Sequence, residues 1–79
     1  MAGITYKMNY IKNALMMGKH DINTFNTLKS FVNDQEIVAD MTVSLSKVAI
    51  AALELIGENE TYPVDEQVKQ MMTDLSLLI

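Results

Sequence analysis

The chain has no cysteine and no arginine, a single histidine and a single proline among its 79 residues. Without cysteine it has neither disulfides nor thiolate metal ligands, so its redox compartment is unmarked. His20 alone cannot form a histidine metal site, and it lies in a short turn rather than near a candidate nucleophile. Glu58 and Glu60 lack a basic or metal-binding neighbour, and the sequence has no glycine-rich phosphate loop. We therefore expect a non-enzymatic protein with no metal and no cofactor.

Long apolar runs are also missing. No stretch approaches the roughly 18 apolar residues of a transmembrane helix, and the first residues lack the apolar run of a signal peptide. We expect a cytoplasmic protein with no membrane partner. Residues 1–79 predict a single domain with a modest core. Since 49% of the residues are apolar and disulfides are excluded, we expect self-association to stabilise the fold.

The net charge of −4 is unevenly distributed along the chain. Residues 1–30 carry four lysines against Asp21 alone, a balance of +3, whereas residues 31–79 carry two lysines against nine acids, a balance of −7. One interpretation is intramolecular, with the basic half packed beside the acidic half. The other is that an acidic face binds a basic partner.

Two helices are predicted in the first part of the chain. An apolar stripe at 4-3-4 spacing indicates a helix over residues 4–17, ended by Gly18. Residues 4–10 also alternate as a short strand would, and this alternative stays open. Asp21 is placed to cap a second helix over residues 22–32, whose inward positions are Ile22, Phe25, Leu28 and either Phe31 or Val32.

The pattern over residues 33–57 predicts one long third helix. Asn33 and Glu36 have the spacing of a capping box, and Gly57 occupies the position of a left-handed stop. Between them, apolar residues repeat at 3-4-3-4-3 spacing, which is typical of a seam between helices: Val38, Met41, Leu45, Val48, Ala52 and Leu55. Residues 41–46 also alternate as a strand does, so a break near residues 40–42 is the alternative, with Asp40 capping a shorter helix.

A fourth helix is predicted to begin at Pro63, with Asp65 and Glu66 in its first turn complementing the helix dipole. The expected fold class is all-α, a small bundle of about four helices. In it the long third helix forms an antiparallel hairpin with the fourth.

The seven methionines and three tyrosines are the most suggestive residues, and the methionines have two interpretations. In one, they fill an irregular core; in the other, methionines and tyrosines line an exposed patch that binds a protein. Methionines that do not fill a core are typical of adaptable binding surfaces, and tyrosine is enriched at interfaces. The adjacent pairs at residues 16–17 and 71–72 leave room for at most one inward side chain each. The predicted partner-binding residues are Tyr6, Tyr10, Met17, Met41 and Met72.

The first two helices and the turn at Gly18 have the proportions of a helix-turn-helix. The outer face of the second helix carries residue types that contact base edges: Asn23, Asn26, Thr27 and Lys29. This resemblance implies a DNA-binding regulator. Nucleic acid is an unexpected partner, however, because DNA binding relies on basic residues, and the chain has no arginine and is acidic.

A second resemblance rests on Ser44-Leu45, followed by an acidic loop and Pro63, and on Ser30-Phe31-Val32 followed by Ala39-Asp40. These segments are similar to parts of the acyl and peptidyl carrier proteins, acidic helical bundles in which a serine in an Asp-Ser-Leu motif carries phosphopantetheine. The resemblance covers about half of the sequence, and Val43 replaces the aspartate before Ser44. It implies a degenerate carrier-like protein with Ser44 as the candidate attachment site.

The main hypothesis is a small protein-interaction module that forms a homodimer and regulates or inhibits a larger protein. The long-helix seam and the methionine-bearing faces are the expected contact surfaces. Abundant Asn, Ile, Lys, Met and Thr indicate an AT-rich coding source, such as a low-GC bacterium or a phage, so an origin in a phage or mobile element is part of this hypothesis.

Overall fold

The computed structural model describes residues 3–38, 42–57 and 62–78. Within these ranges the protein is mostly helical, with four helices and one two-stranded sheet. In chain order the elements are α1 (Ile4–Met17), α2 (Ile22–Phe31), β1 (Ile37–Val38), β2 (Val43–Ser44), α3 (Leu45–Leu55) and α4 (Glu66–Leu78). The predicted helical class is confirmed, and the small sheet is an addition to it. None of these described helices is both long enough and apolar enough to cross a bilayer.

The first two helices have the ends that the sequence predicts. α1 runs from Ile4 to Met17, so the alternative of a strand over residues 4–10 is wrong. Gly18 adopts the left-handed conformation at φ +56°, in which its N–H and that of Lys19 reach back to the last carbonyls of α1. Asp21 caps α2, since its carboxylate accepts the backbone N–H of Thr24 at 2.8 Å. α2 ends one residue earlier than predicted, at Phe31.

The long helix predicted over residues 33–57 is wrong. Asn33 lies in a turn, and the chain then forms an antiparallel ladder that pairs Ile37 with Ser44 and Val38 with Val43. β-branched residues favour this extended pairing, so the strand alternation of the segment was the correct signal there. The helix begins only at Leu45, after the predicted break; Asp40, the expected cap, lies outside the described residues.

The β1–β2 pairing also caps the start of α3. The N–H of Leu45 donates to the Glu36 carbonyl at 2.8 Å, and the N–H of Ser46 donates to the Asp34 carbonyl at 2.7 Å. The third amide of the helix donates to the hydroxyl of Ser44, the N-cap residue. The first three amides of α3 are therefore satisfied within the chain, and the register of the helix is set by the ladder before it.

α3 ends near Gly57, which is left-handed at φ +88° as predicted. α4 begins at Glu66 rather than at Pro63. The carboxylate of Asp65 accepts the N–H groups of Gln67 and Val68 at 3.0 and 3.4 Å, so Asp65 caps this helix rather than lying within its first turn. The acidic loop residues 58–61 lie outside the described residues.

α3 forms the centre of the core and packs against α1, α2 and α4. Its buried apolar residues have no solvent exposure: Leu45, Val48, Ala49, Ala51, Ala52 and Leu53. Three of these are alanines, which lets the surrounding helices approach closely. The expectation that one face of this helix stays uncovered as a dimer seam is therefore wrong for its described residues.

Candidate protein-interaction surface

Large apolar side chains reach solvent mainly around the first helix and the turn that follows it. Among the described residues, Tyr6 is 57% exposed, Met16 46%, Met17 67% and Ile22 64%. The remaining large exposed apolar residue is Ile37, on β1. Four of these five residues thus belong to α1 or to the first position of α2.

The two sides of α1 differ sharply. Met8, Ile11 and Ala14 are buried on the side that faces the core. The opposite side is exposed and includes positions at 3-4-3 spacing. Met17 follows Tyr6 by eleven residues, which is close to three helical turns, so both lie on this side. We define the α1 outer face by these exposed residues: Tyr6, Asn9, Asn13, Met16 and Met17.

Ile22 extends the apolar surface beyond the turn at residues 18–21. The sequence predicts that Ile22 faces inward, and this is wrong. The inward stripe of α2 instead includes Thr24, which is 2% exposed, together with Leu28 and Phe31. The reason is the cap: Asp21 accepts both the N–H and the hydroxyl of Thr24, which orients this polar residue inward and leaves the preceding Ile22 outside.

Contacts in the first half of α1 fix this helix against α2 and the loop that follows α2. The Lys7 ammonium lies 2.5 Å from the Asp34 carboxylate and 5.7 Å from the centroid of the Phe31 ring. The hydrogen bond from Lys7 and that from the N–H of Glu36 lower the pKa of Asp34 below its usual value. Tyr10 meets Phe31 edge-on with ring centroids 6.0 Å apart. The outer face is thus presented on an anchored helix.

The predicted partner-binding residues do not form one cluster. Tyr6 and Met17 are exposed and share the α1 outer face, while Tyr10 is only partly exposed because it packs on Phe31. Met72 is fully buried, so its expected exposure is wrong. Its neighbour Met71 is half-buried, in keeping with the expectation that one member of the pair points inward. The remaining predicted residue, Met41, lies outside the described residues.

Three large exposed apolar residues were not among the predicted contact residues: Met16, Ile22 and Ile37. Met16 was recognised only as one of an adjacent pair, of which Met17 was predicted as the contact. A signal for Ile22 was available, since a residue directly after an N-cap occupies the first helical position and often lies at the surface. Ile37 had no such signal. Its exposure depends on the pairing of β1 with β2, which the prediction of a helix over residues 33–57 did not include.

Lysines outnumber acidic residues around this surface, although Asp21, the N-cap of α2, directly precedes Ile22. α1 and α2 contain lysines and no acidic residue. The acidic half of the chain places exposed carboxylates on and before α4, at Asp65, Glu66 and Asp74. The ion pair between Lys7 and Asp34 joins the basic and acidic halves of the chain, as the intramolecular interpretation expects.

Other polar features are a histidine that joins two parts of the fold and an open cleft beside α3. His20 is exposed, and its Nδ1 lies 2.6 Å from the carbonyl oxygen of Ile56, which joins the α1–α2 turn to the end of α3. An open cleft of about 480 Å³ lies beside the start of α3, between Gln35, Lys47 and Pro63. Among the residues that the structure describes, no three potential metal ligands come together.

Comparison of the chain with known protein families, with curated proteins and with solved structures finds no match.

Proposed function

We propose that this protein is a small non-enzymatic interaction module that acts in the cytoplasm, forms a homodimer and regulates or inhibits a larger protein. The observation that carries the proposal is the exposed apolar surface on the α1 outer face and Ile22. Exposed apolar side chains that lie together, rather than singly, are typical of binding surfaces. Met41 remains a predicted contact residue.

The side chains of this surface and the anchored helix that carries them support this proposal. Methionine side chains are flexible and polarisable, and they suit a surface that adapts to a partner. The helix that carries Met16 and Met17 is anchored by the Lys7–Asp34 ion pair and the Tyr10–Phe31 contact. The fixed backbone lowers the entropy cost of binding, whereas each flexible side chain that the partner immobilises adds to this cost.

We further infer that α3 and α4 form the antiparallel hairpin expected from the sequence. The Lys69 ammonium, near the start of α4, lies 2.7 Å from the Glu54 carboxylate near the end of α3. A contact between the end of one helix and the start of the next is what an antiparallel pair requires. With α3 and α4 paired in this way, α1 and the start of α2 provide the free surface.

The test is a comparison of two double variants in affinity purification with mass spectrometry. Met17→Lys with Ile22→Lys adds two charges to the surface, and Asn23→Lys with Asn26→Lys adds the same charge to exposed positions of α2. We expect the first variant to lose a specific partner that the wild type and the second variant retain. If all three variants recover the same proteins, the surface is not the binding site. A salt-sensitive gel shift with DNA would instead favour the helix-turn-helix alternative.

A carrier-like role is a second candidate because of the position of Ser44. It is the N-cap of α3, stands directly before Leu45 and lines the open cleft. A modified serine at the start of a helix is the arrangement that the carrier resemblance implies. Treatment with a phosphopantetheinyl transferase and coenzyme A, followed by intact-mass analysis, should give an adduct that Ser44→Ala abolishes; an unchanged mass excludes this role.

A further inference from the structure

Four of the five residues of the α1 outer face, all except Met17, form a row that reads the same from either end of the helix. Tyr6, Asn9, Asn13 and Met16 are all exposed, and they occur in the order large apolar, amide, amide, large apolar. The positions 6 and 16, and the positions 9 and 13, are both centred on residue 11. Such a row is self-complementary when a second identical helix runs in the opposite direction.

We propose that this face binds the same face of a second copy, with the two α1 helices antiparallel around a two-fold axis. The inference rests on the proposed self-association and specifies its geometry. Tyr6 packs on Met16 of the second copy, and Asn9 pairs with Asn13 of the second copy. The 3-4-3 spacing is that of the contact positions between two packed helices, and a two-fold axis makes each contact occur twice.

The side chains fit these pairings. A methionine sulfur beside an aromatic ring is a favourable contact, worth about 0.3–1.5 kcal/mol. An amide side chain carries both donors and acceptors, so Asn9 and Asn13 satisfy each other across the axis. Polar residues at contact positions cost stability but favour one register, because a shift by one contact position leaves an asparagine opposite an apolar side chain.

The size of the face indicates a weak dimer. α1 has 14 residues, so the face is about 21 Å long and about 10 Å wide. This footprint, about 200 Å² of projected area per copy, is small beside the roughly 800 Å² per partner of a standard interface. With two amides among its four central positions, we expect association that is weaker than that of a standard interface and requires a high protein concentration.

The effect of salt on binding distinguishes a second copy from an acidic partner. α1 has no carboxylate, and Lys12 lies one turn before Met16, so the antiparallel pair brings lysines of both copies closer together. Each copy also carries a net charge of −4. Added salt screens both repulsions, so the homodimer tightens as salt increases. An acidic partner on this basic face would instead bind more weakly in salt.

Disulfide trapping tests the register directly, because the chain has no native cysteine. Asn9→Cys and Asn13→Cys are prepared separately, one of them labelled with ¹⁵N so that intact mass distinguishes mixed from identical pairs. We expect mixed disulfides at least ten times more often than disulfides between identical chains. Ile37→Cys, exposed on β1, is the matched control and should not crosslink with either variant. Disulfides mainly between identical chains would overturn the antiparallel register.

Sedimentation equilibrium of the wild type and of Asn13→Lys completes the test, with circular dichroism confirming that the variant is folded. We expect wild-type dimerisation to strengthen between 50 and 500 mM NaCl and to weaken at least tenfold in the variant. A wild-type monomer at 1 mM protein overturns the inference, as does a dimer that the variant leaves unchanged. A monomer that still binds another protein through Met17 and Ile22 would overturn this inference and the proposed homodimer, and would leave the binding of a larger protein standing.

Discussion

The two members of the methionine pair on α4 should respond very differently to truncation. Met72 has no solvent exposure, whereas Met71 is half-buried. Met72→Ala removes a buried side chain and leaves a cavity, which typically costs about 2–5 kcal/mol. Met71→Ala removes a side chain that is only partly buried, and we expect it to lower the free energy of unfolding by less than about 1.5 kcal/mol.

The size of this difference matters because the whole domain is small. A chain of this length has a free energy of unfolding of about 4–12 kcal/mol. We expect Met72→Ala to lower this free energy by about 3 kcal/mol, a large fraction of the total. Urea denaturation followed by far-ultraviolet circular dichroism measures both variants, since the chain has no tryptophan to report by fluorescence.

A third variant connects this measurement to the binding surface. Met17 is 67% exposed, so Met17→Ala should change the unfolding free energy by less than about 0.5 kcal/mol while weakening the binding of a larger protein partner. Equal destabilisation by Met71→Ala and Met72→Ala would refute the assignment of inward and outward side chains. So would a loss of stability in Met17→Ala comparable to that in Met72→Ala.

Further predictions concern the backbone, a buried hydroxyl and pH. Thr42 is left-handed at φ +54°, so Thr42→Asn should raise the unfolding free energy by about 1 kcal/mol in urea denaturation; a decrease would argue against strain there. Ser46 donates its hydroxyl to the Val32 carbonyl, and Ser46→Ala should cost about 1–3 kcal/mol by the same assay because that acceptor loses its partner. The pKa values of Asp21 and Asp34 are lowered by their hydrogen bonds, so they add stability that is present above their usual pKa of 3.8 and is lost as pH falls below it. Acid titration should therefore show a smaller loss of stability in Asp34→Asn than in the wild type, and identical acid profiles would contradict this role.

Local signals in the sequence predicted the parts of the fold that local chemistry determines. Gly18 and Asp21 mark the end of α1 and the start of α2 because their effects operate within a few residues. The segment over residues 33–44 could not be assigned in this way. Its apolar spacing fits a helix and its alternation fits a strand, and the choice depends on the pairing of Ile37 with Ser44, which a local pattern does not contain.

The candidate surface was predicted only in part for a similar reason. Residue type indicated that methionines and tyrosines form contacts, and for Tyr6 and Met17 the periodicity of α1 separates the outer from the inner side. For Met72 the type was the same, but burial depended on how α4 packs on α3. Which of two adjacent methionines faces inward is decided by tertiary packing and not by composition.

The central position of α3 has a consequence for how sequences of this fold can diverge. Ala49, Ala51 and Ala52 have no exposed surface, and the other helices pack around them. A larger side chain at any of these positions would have to push a neighbouring helix outward, so only small residues are compatible with the present arrangement. Asn9 and Asn13 meet no such restriction within the monomer, since both are exposed. Any restriction on substitutions at these two asparagines would therefore come from what they bind.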